Sequence, residues 1–161
     1  MDKLRISIFI IGFCACIPYY KEPKSDKIAY LAVSEGKVSY TITDVKTKKR
    51  EQIGGGAIVG GLLGFHFNIR KIDTSSYKTF AAYDVETGIV TNTSCSARLN
   101  YGIKFEPDDI YVLRLYPNCE LVLEKLDISL EELKTGQSKN SLPDGTNVIK
   151  TKADLMKVSI Q

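Results

Sequence analysis

The chain has 161 residues, 43% of them hydrophobic and 25% charged, with a formal net charge of +3. That length suits one domain with a sizeable core, and a charge so close to neutral argues against a nucleic-acid partner. With His66 as its single histidine, the chain lacks the residues for a histidine-cluster metal site, and any nucleophile–histidine catalysis would rest on that one ring.

Lys3 and Arg5 open the chain, and Ile6, Ile8, Phe9, Ile10, Ile11 and Phe13 follow as a short apolar run. A basic flank, a short apolar core and then small residues form the pattern of an export signal. The run is too short to cross a bilayer, which takes roughly 20 apolar residues in a helix. Cleavage after Ala15 by an ordinary signal peptidase is disfavoured by the bulk of Phe13 two positions earlier. Read with the residue that follows, Phe13-Cys14-Ala15-Cys16 resembles a bacterial lipobox. The resemblance implies that residues 1–15 are a lipoprotein signal peptide and that Cys16 becomes the first residue and carries diacylglycerol and a fatty acid such as palmitate. The chain thus resembles a small envelope lipoprotein. Ile17 after the cysteine, in place of aspartate, implies sorting to the outer membrane. The anchor has a simple basis: each buried methylene contributes about 0.8 kcal/mol, and two or more chains hold where one does not. A cleaved protein, secreted or periplasmic, is the alternative.

Residues 16–27 hold Pro18 and Pro23 among mixed charges and read as a tether between lipid and body. Residues 28–161 then read as a single β-rich domain. Ile28 to Ser34 suits a strand, and Glu35-Gly36 a turn. From Lys37 to Val45 the pattern alternates, with Val38, Tyr40 and Ile42 on one side and Ser39, Thr41 and Thr43 on the other. Such period-two patterning predicts a half-buried strand, paired with the first as a hairpin. Residues 46–52 read as a basic surface turn, with anionic lipid a lesser option.

Residues 53–67 interleave Gly54, Gly55, Gly56, Gly60, Gly61 and Gly64 with Ala57, Ile58, Val59, Leu62, Leu63 and Phe65. Gly56, Gly60 and Gly64 recur every fourth residue, a spacing that lets helices approach closely in membranes. The run is nevertheless too short to span a bilayer. It fits neither phosphate-binding glycine pattern. An apolar loop or bulged strands against the sheet is the favoured reading. Partner or membrane contact through Gly56, Ile58, Val59, Gly60, Leu62, Leu63, Gly64 and Phe65 is the alternative.

Asn68 to Lys71 and Tyr77 to Val85 read as strands, and Ile89 to Leu99 as the hairpin partner of the latter. Pro107-Asp108-Asp109 is a turn. Ile110 to Tyr116 alternates, and Cys119 to Leu126 runs back after Pro117-Asn118. Ser129 and Glu132 form a capping-box pattern that predicts a helix start. Residues 135–147 read as a loop, and residues 148–161 as a strand or a short helix. With Cys14 removed and Cys16 acylated, Cys95 and Cys119 remain, and in an exported chain they predict a disulfide. Two buried thiols are the alternative. Closing a loop of about 25 residues would stabilise by roughly 3 kcal/mol.

The expected fold is one mainly β domain, an antiparallel sandwich or partly closed barrel with one or two short helices toward the carboxyl end. No catalytic motif, metal site or cofactor motif emerges. The expected function is a non-enzymatic binding or structural role in the envelope, with the membrane and another envelope protein as partners. An enzyme of the periplasm, or a protein that contacts membranes or oligomerises through residues 53–67, is the alternative.

Overall fold

Period-two patterning places one apolar edge of each strand inward, and two sheets form by burying those edges together. The computed structural model describes residues 17–34, 38–55, 67–84, 95–116, 118–139, 148–149 and 157–159. Their elements are β1 (Ile28–Ser34), β2 (Val38–Asp44), β3 (Arg50–Gly54), β4 (Phe67–Asp73), β5 (Lys78–Asp84), β6 (Ser96–Arg98), β7 (Tyr101–Ile103), β8 (Ile110–Leu115), β9 (Leu121–Leu126), α1 (Leu130–Ser138), β10 (Val148–Ile149) and β11 (Lys157–Ser159). Sheet I runs in the order β10-β9-β8-β1-β4, and sheet II in the order β11-β7-β5-β2-β3 with β6 also against β5. The sheets face each other as a sandwich and do not close into a barrel. Among the described residues every pairing between these strands is antiparallel except β1 with β8.

The expected hairpin of β1 with β2 is not formed. β1 pairs with β4 and β8 in sheet I, while β2 pairs with β3 and β5 in sheet II. The reason is burial: in facing sheets, Leu31 and Val33 pack into one core with Tyr40 and Ile42. Phe105 completes that core, fully buried, with Phe80 of sheet II at 5.9 Å and Tyr111 of sheet I at 4.8 Å between ring centres, both edge-on.

A second apolar cluster lies on the other side of sheet I. Ala32, Phe67, Ile110, Val112 and Leu126 pack with Leu133 of α1. The helix starts as the capping-box pattern predicts, with Glu132 N–H donating to Ser129 Oγ at 3.2 Å and Ser129 N–H donating to Glu132 Oε2 at 2.7 Å. It continues to Ser138, into the stretch expected as a loop. Gly136 is buried one turn after Leu133, and Gln137 Nε2 donates to the Phe67 carbonyl at 3.2 Å, so burial and a tie to β4 extend the helix. The described parts of residues 148–161 are strands.

Cys95 and Cys119 form a disulfide with their Cα atoms 5.4 Å apart. Cys95 leads into β6 of sheet II, and Cys119, at φ 62°, lies in the β8–β9 turn of sheet I. The bond therefore joins the two layers. With a sequence separation of 24, the chain-entropy model gives it about 3 kcal/mol.

The β2–β3 turn is fixed by Asp44. Its Oδ1 accepts from Thr47 N–H at 2.7 Å, and its Oδ2 accepts from Ser76 Oγ and, at 2.6 Å, from the buried Lys78 Nζ. Burial alone would raise the Asp44 pKa, but the bonds from Lys78, Ser76 and Thr47 hold it well below the usual carboxylate range. At the far end of β3, Gly55 has φ +73°, and a Cβ there would lie 1.5 Å from the Val38 carbonyl oxygen.

Two outcomes follow for stability. Gly55→Ala meets both a left-handed backbone and a carbonyl, so it lowers the unfolding free energy, read by urea unfolding, by an amount on the order of 3 kcal/mol or more. Asp44 stabilises the folded chain above its unfolded-state pKa near pH 4, and that contribution is lost as pH falls below it. Asp44→Asn should lower stability at pH 7 by about 2 kcal/mol and shrink the loss between pH 7 and pH 3, both read by urea unfolding.

Candidate functional site

The two outer faces differ in chemistry. Sheet I carries the apolar outer cluster beneath α1, whereas sheet II presents Thr41 and Thr43 from β2 and Thr79, Ala81 and Tyr83 from β5. Backbone register brings these into rows. Thr43 lies between Arg50 and Thr79, and Ala81 lies between Thr41 and Arg98. Short side chains make a floor, and longer ones at the margins make walls. The result is a cleft of about 480 Å³ lined by Thr41, Thr43, Arg50, Thr79, Ala81, Tyr83, Arg98 and Asn100, with edges of Phe80 and Leu99. Thr41 is only 3% exposed although its alternation turns it away from the core.

One wall comes from a bulge. Lys78 pairs with Ile103 and Ala81 with Arg98, so three steps along β5 are met by five on its partner. The extra residues swell out at Leu99 and Asn100. They are tied down by Leu99 N–H donating to the Phe80 carbonyl at 2.9 Å and by Thr79 Oγ1 donating to the Leu99 carbonyl at 2.5 Å.

Two arginines converge on Tyr83 from opposite edges. Arg50 Nη2 donates to the Tyr83 hydroxyl at 2.8 Å, and its guanidinium carbon lies 5.5 Å from the ring centre. Arg98, across β5 on β6, lines the same cleft. Burial pushes the Tyr83 pKa up, but the nearby Arg98 and Arg50 guanidinium groups outweigh it, and the phenol ionises below its ordinary value. Among the described residues neither guanidinium is paired with a carboxylate, and no carboxylate lines the cleft.

The other ionisable clusters are closed on themselves. Glu124, buried on sheet I, accepts from Tyr116 OH at 3.0 Å and faces Arg114 Nε at 3.3 Å. Asp109 takes Lys125 Nζ at 2.6 Å and Tyr111 OH at 3.1 Å. Among the described residues no three acidic, histidine or cysteine side chains gather as a metal site would require.

Cys16, the acylation candidate, lies outside the described residues, as do Gly56, Ile58, Val59, Gly60, Leu62, Leu63, Gly64, Phe65 and His66. Cys95 and Cys119 are bonded to each other and do not line the cleft. The start of the expected tether is docked: Gln52 N–H donates to the Pro18 carbonyl and Tyr20 N–H to the Gln52 carbonyl, both at 2.8 Å. Tyr20 OH reaches the Lys71 carbonyl at 3.0 Å, while Tyr19 stays 67% exposed.

The cleft was not foreseen as a site. Arg50 belongs to a strand and not to the basic turn, and Tyr83 is held by the Arg50 guanidinium. The available signal was the polar set Ser39, Thr41 and Thr43 on one strand, flanked in sequence by Arg50 and matched by the set Thr79, Ala81 and Tyr83. Tyr83 should titrate below Tyr20, Tyr111 and Tyr116 in an ultraviolet pH titration, and Arg98→Gln should shift its ionisation upward by removing a positive charge.

Against known proteins the chain matches no family model, no curated sequence and no solved structure, so a functional reading has to come from the site itself.

Proposed function

We propose that this is a lipid-anchored bacterial envelope protein with a binding role and no chemistry of its own. Residues 1–15 direct export and are removed, Cys16 carries the acyl chains, and the β-sandwich works at the outer membrane. The observation that supports export is the Cys95–Cys119 bond between the two sheets, because reducing cytosol keeps such thiols apart and an oxidising compartment does not. The lipobox-like residues supply the anchor. Among the described residues no helix is long and apolar enough to cross a membrane, so attachment through Cys16 needs no spanning segment.

A binding role suits the site. The cleft offers fixed hydrogen-bond donors and positive charge on a rigid sheet, which recognise a ligand without transforming it. Another component of the envelope is the expected partner.

Labelling with radioactive palmitate tests the anchor. The wild-type chain should take up label and lose residues 1–15. Cys16→Ala should take up none and accumulate at precursor mass. Label entering the Cys16→Ala variant, or mature protein that retains Met1, would rule the anchor out.

A further inference from the structure

We propose that the cleft on the outer face of sheet II is a binding site for a small organic anion, whose carboxylate or phosphate oxygens bridge Arg50 and Arg98. The site rests on the binding role above and not on the lipid, so palmitate labelling and ligand binding fail independently.

The first support is positive charge. Two guanidinium groups line one cleft, one of them bonded to the Tyr83 phenol, and among the described residues no acidic side chain is paired with either. Like charges brought together repel unless an anion lies between them, and a guanidinium fork matches the paired oxygens of carboxylate or phosphate.

The second support is preorganisation. Arg50 is held by its bond to Tyr83 and by the ring beneath it. Arg98 lies on β6, opposite Ala81, where a small side chain leaves space above the floor. Asn100, lifted by the bulge, adds an amide at the rim, and Thr43 adds a hydroxyl. A volume of about 480 Å³ is that of a site for a small molecule and not for an ion alone. Edges of Ala81, Phe80 and Leu99 offer its body apolar contact.

The test uses the mature full-length protein in detergent and titration calorimetry with two probes, inorganic phosphate and succinate, at low salt. At least one probe should bind one to one, with a Kd in the millimolar range or tighter that weakens as sodium chloride is added. Arg50→Gln and Arg98→Gln should each weaken binding about tenfold or more. Lys46→Gln, which removes an equal charge from the exposed β2–β3 turn, should leave binding unchanged. Thermal unfolding of each variant checks its fold, and the exposed Arg98 serves as the test site should Arg50→Gln unfold. Preference for phosphate or for succinate identifies the anion. Binding of neither probe would overturn the site. So would equal binding by the folded Arg98→Gln protein, or equal weakening by Lys46→Gln.

Discussion

Phe105 is the point at which the two layers meet. Its ring stands edge-on to Phe80 of sheet II and to Tyr111 of sheet I, with no exposure to solvent. Named strand ladders stay within their own sheets, so it is side-chain burial, with the Cys95–Cys119 bond and the hydrogen bond from Arg70 Nε to the Ile53 carbonyl, that holds the layers face to face. Such packing is non-directional and scales with area removed from water. It explains why β1 and β2, neighbours in sequence, go to different sheets: as facing strands they bury Leu31, Val33, Tyr40 and Ile42 in one core.

Once the inner faces are committed, the outer faces have different fates. In sheet I, Ala32, Ile110, Val112 and Leu126 point away from the main core and would be wet without a cover. Helix α1 is that cover, and Leu133 is its contact. In sheet II the corresponding positions are threonines, an alanine and a tyrosine, which tolerate water. That face needs no cover. Among the described residues neither Arg50 nor Arg98 is paired with a carboxylate, and Tyr83 orients Arg50 through its hydroxyl.

Much of this architecture was legible in the sequence, for identifiable reasons. Strands such as Val38–Asp44 and Ile110–Leu115 write their alternation plainly, Ser129 and Glu132 announce a helix start, and two cysteines in an exported chain imply a bond. Pairing was harder to read. Alternation says which side chains share a face but not which strand lies alongside, so proximity in sequence suggested a hairpin of β1 with β2 where burial favoured a sandwich. The end of α1 was hidden because Gly136 and Gln137 resemble loop residues until β4 is in place beside them. The cleft was hidden for a related reason. Arg50, Tyr83 and Arg98 are far apart in the chain, and only the order β3-β2-β5-β6 brings them to one surface.

The docked amino-terminal segment links the two proposals in space. Pro18 and Tyr20 are hydrogen-bonded to Gln52, and Gln52 is two residues along β3 from Arg50. An acyl chain on Cys16 would therefore attach within a few residues of a strand that lines the cleft. A long flexible spacer would let the body sample many heights and orientations. A spacer pinned at residues 18–20 would remove most of that freedom, and with the proposed anchor it would hold the edge of sheet II near the bilayer. An anion that approached along the membrane surface would then meet Arg50 first, with Tyr83 and Arg98 behind it across the sheet. On this view anchor and cleft are not two separate devices, because a single edge strand sets the position of both.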